Sequence, residues 1–442
     1  MFRILFTIII ILFSKSSFSE INLVIDDFEI PKITILFQGC DDEENNKEAI
    51  DVVNNIEKNI NTTNLFDIQY WPEHELYQIK DEVSDEYIML YDKYSEHSID
   101  AILQCSQNID QENKANINFK LWDILDEDQI LSKNYIYNDN ISYISNDISD
   151  DIFTKITREK KGHFNSKIAY IAESGEVRKR KKRVATINFD GSNLKYVTNG
   201  KNLALTPRFA NDPNKLTILL YQDNTPSLFN LNISQNSLQK LSNFKGTTMS
   251  ADVHPKNSDL VIFSAIDSNG NSDVYSLDYN TGIRKRLTFS RSIETTSSFS
   301  PSGNNIIFTS DKTGRQEIYQ MDINGENTRK ISNSRGDYSK PVWSPDGSLI
   351  AFTKIIKGKF VIGVMTSQGY NERILTSGYV VEGVSWSPNS RYLIYSRKNS
   401  AFGKGSIPKL YIIDIVTGYE RIFPTPANEG ATDPDWIELP QN

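Results

Sequence analysis

The chain has 442 residues, with 48 Lys and Arg against 57 Asp and Glu, a formal net charge of −9. That balance lacks the basic footprint of a nucleic-acid binder, so no nucleic-acid partner is expected. The length exceeds one ordinary domain and leaves room for a large unit plus a small one. Two cysteines are too few for a disulfide-built scaffold.

The first 19 residues read as a secretory signal peptide. Arg3 gives the positive start, Ile4 to Phe13 the apolar stretch, and Ser17-Phe18-Ser19 the small-x-small cleavage site before Glu20. The alternative is an uncleaved anchor, but the apolar stretch is too short to span a bilayer. No later stretch is apolar enough to span, so the mature chain is expected to be soluble and not itself membrane-spanning.

Residues 20–160 do not repeat and read as a small α/β domain. Ile21–Ile25, Ile33–Phe37 and Ile99–Leu103 are predicted strands, and Ile117–Trp122 with Ile130–Tyr137 a hairpin. A helix is predicted over Asn46–Ile60, because Ala49, Val52, Val53, Ile56 and Ile60 form one apolar stripe. A second is predicted over Tyr143–Thr157, with Ile144, Ile148, Ile152 and Ile156 one turn apart. Cys40 and Cys105 each follow a predicted strand. They are either one disulfide of a secreted chain or two buried thiols.

From about residue 200 a pattern recurs every 43 to 50 residues. It is an aromatic or Val anchor, a polar turn with Pro, and an apolar strand. The clearest copies are Trp343-Ser344-Pro345-Asp346-Gly347, Phe299-Ser300-Pro301-Ser302-Gly303 and Trp386-Ser387-Pro388-Asn389-Ser390. Weaker ones lie at Phe209 and Val253, and Pro434-Asp435-Trp436 is a half-copy. Within one period, Pro341–Trp343, Leu349–Thr353, Phe360–Met365 and Arg373–Leu375 read as four short strands. Pro345 pre-sets the turn after the anchor. Four antiparallel strands per period make a propeller blade.

Three strands, at Ile168–Ile171, Val184–Phe189 and Leu194–Val197, precede the first anchor without an inner strand of their own. Asp435-Trp436-Ile437 is an inner strand without a continuation. Together they complete a ring, which removes exposed sheet edges. The predicted fold is therefore mainly β: a six-bladed β-propeller over residues 161–442, preceded by the small α/β domain.

No catalytic constellation is legible. There is no His-Glu-x-x-His, Gly-x-Ser-x-Gly or phosphate loop. His74, His97, His163 and His254 are not spaced as metal ligands, and no cofactor or metal is expected. Asp26-Asp27, Asp41-Asp42 and Asp150-Asp151 are adjacent carboxylates, which do not converge on one site and read as solvated. Arg178 to Arg183 is an unbroken basic run, either an anion-binding patch or, preferred, a solvated hairpin tip. Trp343, Trp386 and Trp436 read as packing between blades rather than as sugar platforms. The segments leading into the inner strands, around 246–250, 294–297, 337–340 and 380–383, read as polar loops lining a channel mouth suited to a protein partner.

The order of parts resembles the TolB family, the periplasmic component of Tol–Pal systems, over the whole mature chain. Leu205-Thr206-Pro207-Arg208-Phe209, Ile350 to Lys354, Ile374 to Glu382 and Ala431 to Trp436 add to the match. The anchors at 209 and 253 depart from it by lacking Asp-Gly, and the basic run 178–183 is longer than the family pattern. The resemblance implies a non-enzymatic adaptor in the periplasm, acting in outer-membrane integrity and invagination during cell division. It implies that the channel mouth binds the peptidoglycan-associated lipoprotein Pal, on Thr247, Ser250, Thr295 and Thr296. It implies that Glu20, Ile21, Asn22, Leu23, Val24, Ile25 and Asp26 bind TolA, with outer-membrane lipoproteins or porins as further partners. The competing readings are a glycan- or muropeptide-sensing propeller and a propeller lactonase or peptidase relic.

Overall fold

The computed structural model describes residues 31–40, 47–71, 78–80, 87–109, 114–137, 140–176, 179–222, 225–242 and 244–440. The predicted strand Ile21–Ile25 lies outside them.

The N-terminal part is a five-stranded mixed sheet. Its spatial order is Phe66–Tyr70, Ile33–Gln38, Ala101–Ile109, Ala115–Asp123, Asp128–Ile136. The first two pairings are parallel and the last two antiparallel. The helix Lys47–Asn61 buries Ala49, Val52, Val53, Ile56 and Ile60, the predicted stripe. The helix Ile141–Thr157 lies beside it, starting two residues earlier than predicted because the Asn140 side chain accepts the Tyr143 N–H. The strand Phe66–Tyr70 and the short helix Tyr91–Glu96 have no counterpart in the sequence reading. Both are short and lack a clear period, so only tertiary packing specifies them.

Cys40 and Cys105 are bonded, with Cα atoms 5.5 Å apart. Cys105 does not follow its strand but lies inside it, beside the end of Ile33–Gln38, and this parallel neighbour brings Cys40 within reach.

Six four-stranded sheets follow. We number the blades from the N-terminus. Blade one holds Ser166–Ser174, Lys181–Asn188 and Lys195–Tyr196, and its inner strand is the C-terminal Gly430–Glu438. Trp436 pairs with Ile168 in that seam, so the ring closes through its two chain ends, as the orphan strands predicted. The inner strands of blades two to six are Ala204–Phe209, Gly246–His254, Glu294–Phe299, Asp337–Trp343 and Val380–Trp386. Every predicted anchor sits at or near the end of its inner strand.

The turn after the anchor recurs atom for atom. Gly347 N–H bonds Ser344 O, Gly303 bonds Ser300 O, and Ser390 bonds Ser387 O, at 2.8–3.0 Å. Gly347 and Gly303 take positive φ at no cost, whereas Ser390 takes φ 61° with a side chain attached.

Apolar cores fill the seams between blades. Phe209, Leu216 and Ile218 of blade two pack on Ile171 and Val184 of blade one. Trp386 and Leu393 of blade six pack on Ile362 and Val364 of blade five. The seam between blades six and one is different. Tyr392, Ile394, Phe189 and Trp436 join one continuous core with Ile148, Ile152 and Phe153 of the long helix and with the sheet beneath it. The point of ring closure is also the point where the α/β part docks.

Candidate functional site: the propeller channel

Each blade alternates direction, so the ring has two unlike ends. The α/β part covers the end that bears the anchor turns. There Arg391 pairs with Glu159, the Arg421 Nε donates to Thr62 O at 3.0 Å, and Lys58 donates to Asp190 O. The opposite, distal end bears the starts of the inner strands and the mouth of the channel.

The four segments read from sequence as mouth loops are not loops. Residues 246–250, 294–297, 337–340 and 380–383 all lie inside inner strands. Their polarity suggested solvated coil. They are instead strand residues facing a polar channel, and the neighbouring second strand supplies their hydrogen bonds.

Five inner strands carry one register shift, between the residues four and one before the anchor, and Gly246–His254 carries two, at Thr248/Ser250 and Val253/His254. The shift is a β-bulge, which turns side chains toward the axis. Counting back three from each anchor gives Thr206, Ser250, Thr296, Lys340, Gly383 and Asp433. All but Ser250 have positive φ, from 45° to 68°. Thr206 and Thr296 are β-branched, for which this conformation is costly. One position before each anchor stand Arg208, Asp252, Ser298, Val342, Ser385 and Asp435. Two rings, polar apart from Gly383 and Val342, therefore line the channel.

The outer ring is held by Lys340. Its ammonium reaches Glu382 of blade six at 3.3 Å and Asp433 of blade one at 3.5 Å, and at Gly383 between them a side chain would crowd Asp433. These carboxylates hold the Lys340 pKa above its usual value despite burial. The Thr296 hydroxyl bonds Thr309 at 2.8 Å and accepts the Lys340 N–H. In the inner ring, Asp435 accepts the Phe209 N–H at 2.8 Å and the Ser385 hydroxyl at 3.2 Å. Asp252 accepts the Phe299 N–H at 2.8 Å. These carboxylates thus tie neighbouring blades together. Burial pushes Asp435 up to about 6 and also raises Asp252, while the Arg208 charge works against both shifts.

Of the four proposed partner-contact residues, Thr247 is exposed at the rim and Thr295 is partly exposed one position above the outer ring. Ser250 and Thr296 lie in the outer ring. The structure thus brings the four together, on blades three and four at the distal end. Sequence reasoning included Lys340 only within the mouth segment 337–340 and singled out none of Arg208, Asp252, Asp433 and Asp435 as site residues. Their signal was present, as the positions three and one before each anchor, but it needed the bulge to be known. Glu20 to Asp26 and the signal peptide lie outside the described residues.

Of the described residues of the basic run, 179–183, three are in ion pairs. Lys181 to Arg183 belong to a strand rather than to a hairpin tip. Arg180 and Lys182 both bind the buried Glu173, and Arg183 binds Glu429 while lying over Tyr196. Asp150 is likewise not solvated: its carboxylate accepts the N–H groups of His163, Phe164 and Asn165 at 2.6–3.0 Å. His254 caps its own turn, its Nδ1 accepting from Lys256 and Asn257. Among the described residues no group of three His, Cys, Asp or Glu side chains could hold a metal ion.

A solved TolB from Acinetobacter baumannii is similar over 92% of this chain and 97% of its own, with a TM-score of 0.79 at 19% identity. The nidogen/laminin complex matches 62% of this chain at TM-score 0.50 and 9% identity. Kuenenia stuttgartiensis hydrazine synthase matches 62% at TM-score 0.51 and 13% identity, covering 47% of that chain. These likenesses show the fold, and their spread shows that a propeller carries no function by itself. The profile described as TolB beta propeller domain matches residues 153–439, and with that match the chain belongs to the TolB β-propeller domain family.

Proposed function

We propose that this chain is a non-enzymatic periplasmic adaptor of a Tol–Pal envelope system. Residues 1–19 direct export, residues 20–160 form the α/β domain and residues 161–442 the propeller. The distal mouth binds the lipoprotein Pal, around Thr247, Ser250, Thr295 and Thr296. The mature N-terminus, Glu20 to Asp26, binds TolA by strand capture of a short extended segment. The complex serves outer-membrane integrity and invagination during division, with outer-membrane lipoproteins or porins as further contacts.

The observation that carries this reading is the family's propeller over residues 153–439 joined to an α/β part on one end, which leaves the other mouth uncovered by that part. The polar, partly exposed rim at Thr247 and Thr295 suits a protein partner better than a small molecule, for which an enclosed apolar pocket is usual.

The test is a pull-down from solubilised envelopes with residues 20–442 as bait, beside Thr247→Arg/Thr295→Arg. Wild type should recover a peptidoglycan-associated lipoprotein and the double variant should not. Equal recovery moves the contact off these threonines, and no recovery by either overturns the adaptor reading. Bait lacking residues 20–26 should lose TolA and keep Pal.

A further inference from the structure

The connections between blades at the distal end have an unusual composition. Residues 197–203, 241–245, 287–293, 331–336 and 379 join one outermost strand to the next inner strand. These five connections hold Lys201, Lys245, Arg291 and Arg335, and no Asp or Glu; the sixth, residues 423–429, carries one acid, Glu429, which is paired with Arg183. All four cations are exposed, and among the described residues none makes an ion pair. The turns at the opposite end are not alike: they carry Asp190, Asp212, Glu326 and Asp346. The charge is biased along the ring axis: the other distal turns add Lys179, Arg180, Lys312, Arg315 and Lys357 against Glu176 and Asp311, and the opposite turns carry Lys256 and Arg391 beside their acids.

Apolar side chains share the same tips. Phe289 is 74% exposed and flanks Arg291 together with the exposed Ile293. Tyr379 is the whole connection between blades five and six, and it is exposed. Phe402, on the long distal loop of blade six, is 88% exposed. Comparable exposure occurs singly elsewhere, at Leu125, Tyr370 and Val416, but on the distal tips the open apolar side chains stand beside cations. They occur in three sectors of the ring rather than in one groove. A peptide would touch one sector, whereas a plane touches all of them.

We propose that the distal rim docks on an anionic lipid bilayer. Phe289, Ile293, Tyr379 and Phe402 enter the headgroup region, and Arg291, Arg335, Lys201 and Lys245 pair with lipid phosphates. Aromatic and aliphatic tips alternating with cations are the pattern of interfacial attachment. The proposal does not rest on the adaptor reading. It implies that bilayer and protein partner compete for one face.

The test is co-sedimentation of residues 20–442 with phosphatidylcholine vesicles, with and without phosphatidylglycerol. Binding should appear only with the anionic lipid and fall as salt rises. Arg291→Ser/Arg335→Ser should lower partitioning about five-fold per cation removed. Phe289→Ser/Phe402→Ser should lower it further. Tyr370→Ser/Val416→Ser, exposed residues on turns at the opposite end, should leave it unchanged. All these positions are exposed, so unchanged thermal unfolding verifies that each variant folds. Equal binding to both vesicle types overturns the proposal, as does wild-type binding by both distal variants. If no vesicle is bound and the arginine variant loses capture of an envelope protein instead, the rim is a site for an acidic protein and the lipid proposal fails.

Discussion

Asp150 is the residue on which the join between the two parts turns. Its carboxylate collects three successive backbone N–H groups from the segment that leads into blade one. Gly162 is required there, because a Cβ would stand 1.8 Å from Asp150 Oδ1. Asp150→Ala leaves three donors without a partner and should cost at least about 3 kcal/mol in denaturant unfolding. Burial raises the Asp150 pKa to about 7, against three lowering hydrogen bonds. A carboxyl whose folded pKa exceeds its unfolded value binds a proton more tightly when folded. It therefore adds stability at low pH that is lost as pH rises from about 4 to 7. His163, buried against Phe153, Tyr392 and Trp436, works the other way. Its pKa is held well below the usual histidine value by burial, so its contribution is lost as pH falls below about 6.5. In Asp150→Asn only the histidine slope survives at this join. Stability against pH should then rise between pH 4 and 7 by up to about 1.4 kcal/mol per unit more than in wild type. An unchanged slope would show that Asp150 does not titrate there. None of this was legible in the sequence, where Asp150-Asp151 reads as a solvated acidic pair. Capture of a segment 13 residues away by a helix carboxylate is a property of the packed chain alone.

At the scale of elements, the C-terminal strand is the latch. Gly430–Glu438 supplies the inner strand of blade one, and Trp436 donates to Ser166 Oγ at 2.7 Å while stacking on Phe189. Trp436→Ala should cost about 3–5 kcal/mol in thermal or denaturant unfolding, as for other buried aromatics. Deleting residues 430–442 should be worse. It bares the edge of Ser166–Ser174, and an uncovered strand edge recruits other chains, so size-exclusion chromatography should show oligomers or aggregate. The latch was legible because strand periodicity and turn residues are local, and both orphan halves carry them. The polar inner strands were not. Thr, Ser and Lys in the half before each anchor break the apolar run that marks a buried strand, and the ring places those residues on a channel that the sequence does not display.

The whole molecule is stapled twice, by the ring closure and by the disulfide. Cys40–Cys105 closes a separation of 65 residues inside the α/β sheet. On the loop-entropy account, Cys40→Ser/Cys105→Ser should lower stability by about 4 kcal/mol. The loss should appear as a single lowered transition, because one apolar core runs from the sheet through the long helix into blades one and six. Two separate transitions in calorimetry would show that the parts unfold independently.

The sequence by itself determined the number of blades, the closure of the ring and the apolar stripes of both long helices. Each of these is written in spacings along the chain, and backbone geometry converts a spacing into a face or a turn. Only the tertiary structure decided that Cys40 meets Cys105, that Lys340 reaches Asp433, that Asp150 binds the segment leading into blade one, and that the distal end of the ring is rich in cations. Those facts join residues from 13 to 93 positions apart. Their distances and electrostatics depend on how the blades and the sheet are packed, which no local period encodes.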